Sequence, residues 1–364
     1  MKKIAVFFGG KSVEHDISLI TGVMTANSID KERYSVIPVL VDTDGAWYTG
    51  NELLDLDGYK NLNYKKLKRV CIVSGDNVLY ELRGKRLKKI DSIFMAINCM
   101  HGENGEDGSL IGSLKMSNIA TCSPDLLASS ISIDKAFTKT VMKGLGVKVV
   151  KGKTVDSVEN ALAVLEKFKF PLIVKPNLLG SSIGVSKVNT KEELIDGVNL
   201  ALKYGKKALI EECVKDLVEI NCGAYFDGKE VVVSECERPV LIGEFLSFSD
   251  KYKKGKRVFP ADIDKELSDK IKSITKKVYE SLNFNGVIRI DYFISNGEVY
   301  LNEINSVPGS LAYYLFSDTL KGFTAMLNEL IDAGQKEFLQ KNSYVNEYKS
   351  GILLGFGAKS TKRL

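Results

Sequence analysis

From Val287 to Ile304 the sequence alternates so regularly that few folds can accommodate it. Val287–Ile294 and Glu298–Ile304 flank Asn296-Gly297, a dipeptide suited to a tight hairpin turn. Two antiparallel strands are therefore predicted, yet four polar residues interrupt the apolar pattern: Arg289, Asp291, Glu303 and Asn305. With a two-residue turn, Asp291 would face Asn302, and Glu303 would point into the apolar face beside Ile290. With a three-residue loop from Asn296 to Glu298, Ile290 faces Ile304 and Ile294 faces Tyr300. That register also sets Asp291 opposite Glu303 and Arg289 opposite Asn305. It leaves one face mostly apolar and gathers the polar set on the other, so burial favours it. Opposed carboxylates repel unless a cation sits between them. Magnesium takes a few carboxylate or amide oxygens together with nucleotide phosphates, which suits Asp291, Glu303 and Asn305. The alternative is a solvated sheet face whose charges pair with nearby lysines; metal binding is the preferred reading.

The rest of the chain narrows the class. Its 364 residues are enough for two or three domains with a core in each. At 44% hydrophobic and 27% charged residues, the composition is that of a folded soluble protein rather than a disordered one. The 51 basic and 46 acidic residues are dispersed, so no nucleic-acid partner is expected. Lys65–Arg69 and Arg83–Lys89 read as solvated faces. Six cysteines without a C-x-x-C pair fit reduced thiols. No apolar run approaches the ~20 residues of a membrane span, so a cytoplasmic protein without a membrane partner is expected. Two histidines leave no histidine-rich metal site, and any metal should be a hard cation with oxygen ligands.

Strands are predicted at Ile4–Phe8, Tyr34–Val41 and Ser92–Ile97, with a helix over Ser18–Ser28, which suggests a parallel α/β domain in the first third. Further on, Ser132 to Lys143 reads as a helix stopped by Gly144 and Gly146. Strands are predicted at Leu172–Lys175, Ala208–Glu212, Glu219–Phe226 and Glu230–Cys236, and helices at Lys265–Asn283 and from Phe323 onward. Boundaries are placed near 123 and 213, giving segments 1–123, 124–213 and 214–364.

Two motifs fail as chemistry. Gly10-Lys11-Ser12 lacks the first glycine of a P-loop, a position held by Ala5. Gly180-Ser181-Ser182-Ile183-Gly184 has the form of a nucleophile elbow, but the required later histidine is missing, since His15 and His101 both precede it. Three groups survive. Lys175 ends a buried strand just before the Gly180–Gly184 loop, an arrangement able to cradle phosphate oxygens. Gly9–His15 and Met100–Gly108 follow strands of the first domain, where open α/β sheets bind ligands, and Glu14 could fix an ammonium. The third group is the polar hairpin.

Taken in order, these segments resemble the D-alanine–D-alanine ligases of the ATP-grasp superfamily. The resemblance rests on His101-Gly102 with Gly105-Glu106-Asp107-Gly108, Asp134-Lys135, Lys175-Pro176 with Gly180-Ser181-Ser182, and Glu303-Ile304-Asn305 with Pro308-Gly309. It implies three domains of α/β and α+β character, an N-terminal parallel α/β domain and ATP gripped between the central and C-terminal domains. It also implies that Lys135, Lys175 and Lys251 contact phosphates, that Glu211, Glu212 and Val214 border the adenine, and that Glu219 binds ribose. Asp291, Glu303 and Asn305 match the metal ligands, with two magnesium ions implied and manganese able to substitute. By the same resemblance Glu14, His101 and Gly309 bind substrate, and Tyr252 links through Ser181 to Glu14; Ser310 is the candidate to take the place of the family's serine in binding the second substrate. Arg289 and the Gly309 N–H would stabilise a tetrahedral oxygen as two D-alanines join through an acyl phosphate for peptidoglycan synthesis. A homodimer is implied as well.

The chain departs from the family at Tyr314, where a serine is usual, at Lys215–Val218, which is one residue longer, and at Thr121-Cys122-Ser123. Rival readings are a ligase using D-serine or D-lactate as acceptor, and a non-catalytic ATP-binding homologue. Retention of Lys135, Lys175, Arg289 and the metal ligands speaks against the latter.

Overall fold

The computed structural model describes residues 1–240 and 257–352. Its first sheet has seven strands: β1 (Lys2–Gly9), β2 (Tyr34–Val41), β3 (Trp47–Thr49), β4 (Lys68–Val73), β5 (Asp76–Arg83), β6 (Arg86–Ser92) and β7 (Met95–Asn98). They lie in the order β6-β5-β4-β3-β2-β1-β7. Strand β1, next to the edge strand β7, is parallel to both β2 and β7, and its Ile4–Phe8 run is fully buried because both faces are covered. The expected parallel arrangement thus holds for these three strands. An antiparallel meander, β3 to β6, extends the sheet beyond what the alternation signalled. The predicted Ser92–Ile97 strand is interrupted, with Ser92 ending β6 and Met95 starting β7.

Helix α1 (His15–Ser28) packs closely on β1. A Cβ at Gly22 would lie 2.2 Å from the Phe8 Cβ, so glycine is what lets the helix approach. That approach sets Glu14, just before α1, and Thr21 within it over the carboxyl ends of β1 and β7. Helix α2 (Ser109–Met116) follows β7.

The predicted Ser132–Lys143 helix is two helices, α3 (Leu126–Ile133) and α4 (Lys135–Gly144). Asp134 breaks them because it takes an extended backbone, and its side chain caps α4 by accepting from the N–H groups of Ala136 and Phe137. The cap makes Lys135 the first residue of α4. A second, antiparallel sheet has the order β10-β9-β11-β8, from β8 (Gly152–Val155), β9 (Leu172–Pro176), β10 (Ser186–Val188) and β11 (Ala208–Glu212). It is backed by α5 (Val158–Ala163) and α6 (Lys191–Leu202).

The third sheet runs β13-β12-β16-β17, with β12 (Val218–Phe226), β13 (Val231–Val233), β16 (Val287–Ser295) and β17 (Glu298–Asn305). A short pair, β14 (Arg238–Pro239) and β15 (Arg257–Val258), continues beside it, and α7 (Lys265–Ser281) covers its apolar face. The last helix, α8 (Leu320–Asn342), returns to pack on the first sheet.

The β16–β17 hairpin contains elements of both registers weighed from the sequence. Its turn has two residues, Asn296 (φ 50°) and Gly297 (φ 73°), with Ser295 paired to Glu298. Ile294 therefore pairs with Val299, not with Tyr300. A bulge between Asp291 and Tyr292 then accommodates Asn302 as an extra residue. Beyond it Asp291 faces Glu303, Ile290 faces Ile304 and Arg289 faces Asn305, as burial demanded.

Candidate active site

Two adjoining cavities lie where the three sheets meet. The smaller, about 110 Å3, is lined by Lys135, Lys175, Glu211, Glu212, Val214 and Glu303 among others. The larger, about 330 Å3, is lined by Glu14, His101, Ser181, Arg289, Gly309 and Ser310 among others. The larger lies within the range of small-molecule sites. Gly180, Glu219 and Asp291 border both. Every sequence-selected site residue within the described regions thus comes to one place; Lys251 and Tyr252 lie outside the described residues.

The smaller cavity is an electrostatic network. Lys135 donates to the Leu179 carbonyl (2.7 Å) and lies 3.5 Å from Glu303 Oε2. Lys175 lies 2.6 Å from Glu211 Oε2 and donates to Oδ1 of the bulged Asn302 (3.2 Å). Lys139, one turn past Lys135, ion-pairs with the other oxygen of Glu211. Burial pushes the Glu211 carboxyl up, but Lys175 and Lys139 outweigh it and leave Glu211 below the usual range.

In the larger cavity the Ser181 hydroxyl donates to Glu14, the link expected from the resemblance. Ser181 takes a left-handed backbone (φ 53°) that turns the glycine/serine loop toward α1. Arg289 clamps Asp291 with Nε–Oδ1 at 2.7 Å and Nη2–Oδ2 at 3.0 Å, and its Nη1 donates to the Tyr314 hydroxyl (3.2 Å). Burial opposes the Arg289 charge, yet Asp291 and Tyr314 hold it firmly protonated. The His101 backbone N–H donates to Ser18 Oγ, and its Nε2 lies 3.0 Å from Thr21 Oγ1. Thr21 Oγ1 also accepts from the Ser310 N–H (3.1 Å), tying α1 to the segment after Pro308. Burial, then Arg289, lowers the His101 pKa to about 4. Glu106 accepts from the N–H groups of Gly102 (2.9 Å) and Val307 (3.3 Å), and burial followed by Glu14 raises its pKa to about 8.

The residues present fit a hard divalent cation. Asp291 and Glu303 face one another across the hairpin, and Asn305 donates its amide N–H to Asp291 Oδ2 (3.1 Å) and to the Arg289 carbonyl (3.3 Å). Among the described residues no group of three or more His, Cys, Asp and Glu converges. Such a set suits an ion that keeps waters and shares phosphate oxygens, as magnesium does.

Sequence reasoning missed Lys139 and did not assign roles to Glu106, Thr21, Asn302, Glu237 or Arg257. The i,i+4 spacing of Lys135 and Lys139 was a usable signal, since it puts both on one helix face. Arg257 donates to the Tyr314 carbonyl (3.0 Å) and lies 3.4 Å from Glu237, contacts made across separate elements and not readable locally.

This three-sheet arrangement, with buried lysines facing an acidic hairpin, is the ATP-grasp fold of an ATP-dependent carbon–nitrogen ligase. The family model described as D-ala D-ala ligase N-terminus matches residues 3–124, and that described as D-ala D-ala ligase C-terminus matches residues 142–333. The chain belongs to the D-alanine–D-alanine ligase family. It is 36% identical to a D-alanine–D-alanine ligase of Thermosipho melanesiensis over 94% of this chain and 96% of the relative. A Sulfurimonas denitrificans D-alanine–D-alanine ligase is 33% identical over 90% and 93%. The solved D-alanine–D-alanine ligase of Helicobacter pylori superposes with TM-score 0.78 at 32% identity, over 92% of this chain and 98% of that one. The VanG D-Ala:D-Ser ligase of Enterococcus faecalis does so at 0.78 and 28%, over 92% and 99%.

Proposed function

We propose that this protein joins two D-alanines into D-alanyl-D-alanine, a peptidoglycan precursor, with cleavage of ATP to ADP and phosphate. The observation that carries the reading is the shared border of the two cavities, Gly180, Glu219 and Asp291. A nucleotide in the smaller cavity then presents its phosphates to a substrate in the larger one.

In this reading Glu211, Glu212 and Val214 border the adenine, Glu219 the ribose, and Lys135 and Lys175 the phosphates. Asp291, Glu303 and Asn305 hold magnesium, two ions in all with manganese able to substitute. A divalent ion there neutralises phosphate charge and aligns the terminal phosphoryl group. Glu14, held by Ser181, binds the ammonium of the first D-alanine near His101. The carboxylate oxygen of that D-alanine forms a bond to the γ-phosphorus as the bond to the β-bridging oxygen breaks and ADP leaves. The amine of the second D-alanine then attacks the acyl carbon, loses a proton, and expels phosphate as the C–O bond breaks. Arg289 and the Gly309 N–H meet the charge that develops on the tetrahedral oxygen, while Ser310 borders the acceptor. The chemistry requires that water be kept from the acyl phosphate, which it would hydrolyse. Segments 1–123, 124–213 and 214–364 serve as the three domains; the breaks fall between the sheets, which supports the division. No helix among the described residues is long and apolar enough to cross a membrane. A cytoplasmic homodimer completes the reading, and sedimentation would check the dimer.

The test is phosphate release from ATP and magnesium with D-alanine, D-serine, D-lactate and L-amino acids, with product masses. D-alanine-dependent release and a D-alanyl-D-alanine mass are expected; no amino-acid-dependent release would overturn the reading. Arg289→Ala should keep ATP binding but lower turnover ~10²–10³-fold, the usual cost of losing an oxyanion donor. Unchanged turnover would remove the role given to Arg289.

A further inference from the structure

Lys139 has no place in the reaction just described, yet it is among the most deeply buried charges of the molecule. It is 5% exposed, and Glu211, its ion-pair partner, is 3% exposed. Its Nζ also donates to the Val150 carbonyl (2.9 Å). Lys135, Lys175 and Glu211 line the smaller cavity, whereas Lys139 lies behind them and does not. One buried carboxylate therefore holds two ammonium groups, one facing the cavity and one facing the protein.

That arrangement bears on how Lys175 can serve a phosphate. Removing one partner of a buried ion pair leaves an uncompensated charge, which is strongly unfavourable. If Lys175 were the sole cation on Glu211, leaving for a phosphate would strand that carboxylate in the interior. With Lys139 in place Glu211 stays neutralised, and Lys175 can be released.

We propose that Lys139 is a positioning residue for nucleotide phosphates, acting through Glu211 to let Lys175 transfer from the carboxylate to the phosphate chain. It touches no substrate. The inference rests on the smaller cavity being the ATP site. A merely structural Lys139 would pin α4 to the Val150 carbonyl and affect all ligands of the cavity alike.

The experiment measures dissociation constants for adenosine, ADP and ATP, together with the thermal midpoint of the ligand-free protein. Wild type comes first: if it fails to bind ATP, the site reading itself fails. The variants are Lys139→Gln, which keeps a donor but no charge, and Lys139→Arg, which keeps the charge. Lys139→Gln should weaken ATP and ADP by about tenfold or more, the scale of a charged hydrogen bond, and leave adenosine unchanged. Its KM for ATP should rise while that for D-alanine does not, and Lys139→Arg should restore most of the loss. The double variant Lys139→Met/Glu211→Gln buries no unpaired carboxylate, so its preference for ATP over adenosine should return toward wild type. It carries the test if Lys139→Gln does not fold. Wild-type ATP binding in Lys139→Gln, equal losses for adenosine and ATP, or a double variant without recovered preference would each overturn the proposal.

Discussion

Glu106 and His101 line the same cavity, and burial drives both toward their neutral forms by opposite shifts. His101, lowered to about 4 from 6.5, binds its proton more readily in the unfolded chain. Its contribution to stability is therefore present above pH 6.5 and is lost as pH falls toward 4. Glu106, raised to about 8 from 4.5, keeps a proton in the folded state that the unfolded chain releases. Its contribution is full below pH 4.5 and declines as pH rises toward 8. Between pH 4.5 and 6.5 the two slopes oppose one another; from 6.5 to 8 only the Glu106 decline remains. Ligand-free wild type should thus lose stability over the upper window, Glu106→Gln should flatten that loss, and His101→Gln should expose the decline below pH 6.5. Denaturant midpoints across pH check all three. A Glu106→Gln profile parallel to wild type would refute the assignment. Asp291, Glu303, Arg289 and Lys175 stood out in the sequence because each is a charge within an apolar strand. Glu106 and Lys139 did not, because what distinguishes them is burial against Glu14 and Glu211, far away along the chain.

The hairpin shows how an element reconciles local and global demands. Asn296-Gly297 takes the left-handed backbone of a tight two-residue turn, while burial of Ile290, Tyr292, Ile304 and Leu301 dictates which side chains face α7. These two requirements differ by one residue, and the bulge at Asn302 absorbs it. A Cβ at Gly297 would meet nothing within 4 Å, so substitution there probes backbone conformation alone. Gly297→Ala should cost about 1–2 kcal/mol, the penalty for a side chain in the left-handed region. Turnover should stay at the wild-type level, because the turn lies at the opposite end of the hairpin from Arg289 and Asn305. Equilibrium unfolding and steady-state assays decide both points; a large loss of turnover would show that the turn and site are coupled. The α3–α4 break had a local signal too, since Asp134 is a strong N-cap residue inside the apolar pattern that read as one helix.

At the scale of the molecule, strand β1 of the first sheet is buried on both faces by parts of the chain that are distant in sequence. One core joins Ile4, Val6 and Phe8 of β1 with Phe323, Leu327 and Ile331 of α8. The ends of the chain are bound further by Arg33–Asp332 (2.8 Å) and by Thr324 donating to the Ser28 carbonyl (2.8 Å). Phe323, fully buried, should cost about 3–5 kcal/mol when replaced by alanine. The single tryptophan, Trp47, packs edge-on against Phe7 of the same sheet, its ring centroid 5.2 Å away. Its fluorescence should therefore report the Phe323→Ala loss as a lower unfolding midpoint. An unshifted Trp47 transition would mean that the sheet folds independently of α8. What the sequence alone determined was the hairpin, the polar set on one face and the strands around Lys175 and Glu14, while the three-residue loop favoured for its turn gave way to two residues and a bulge. These follow from two-residue periodicity and the backbone preferences of a few residues, which are local properties. The tertiary structure decided the bulge, the sharing of Glu211 by Lys139 and Lys175, the Arg289 clamp on Asp291 and Tyr314, and the shifted acidities of His101 and Glu106. Those depend on which charges are desolvated together, and desolvation is set by elements that meet only when the chain has folded.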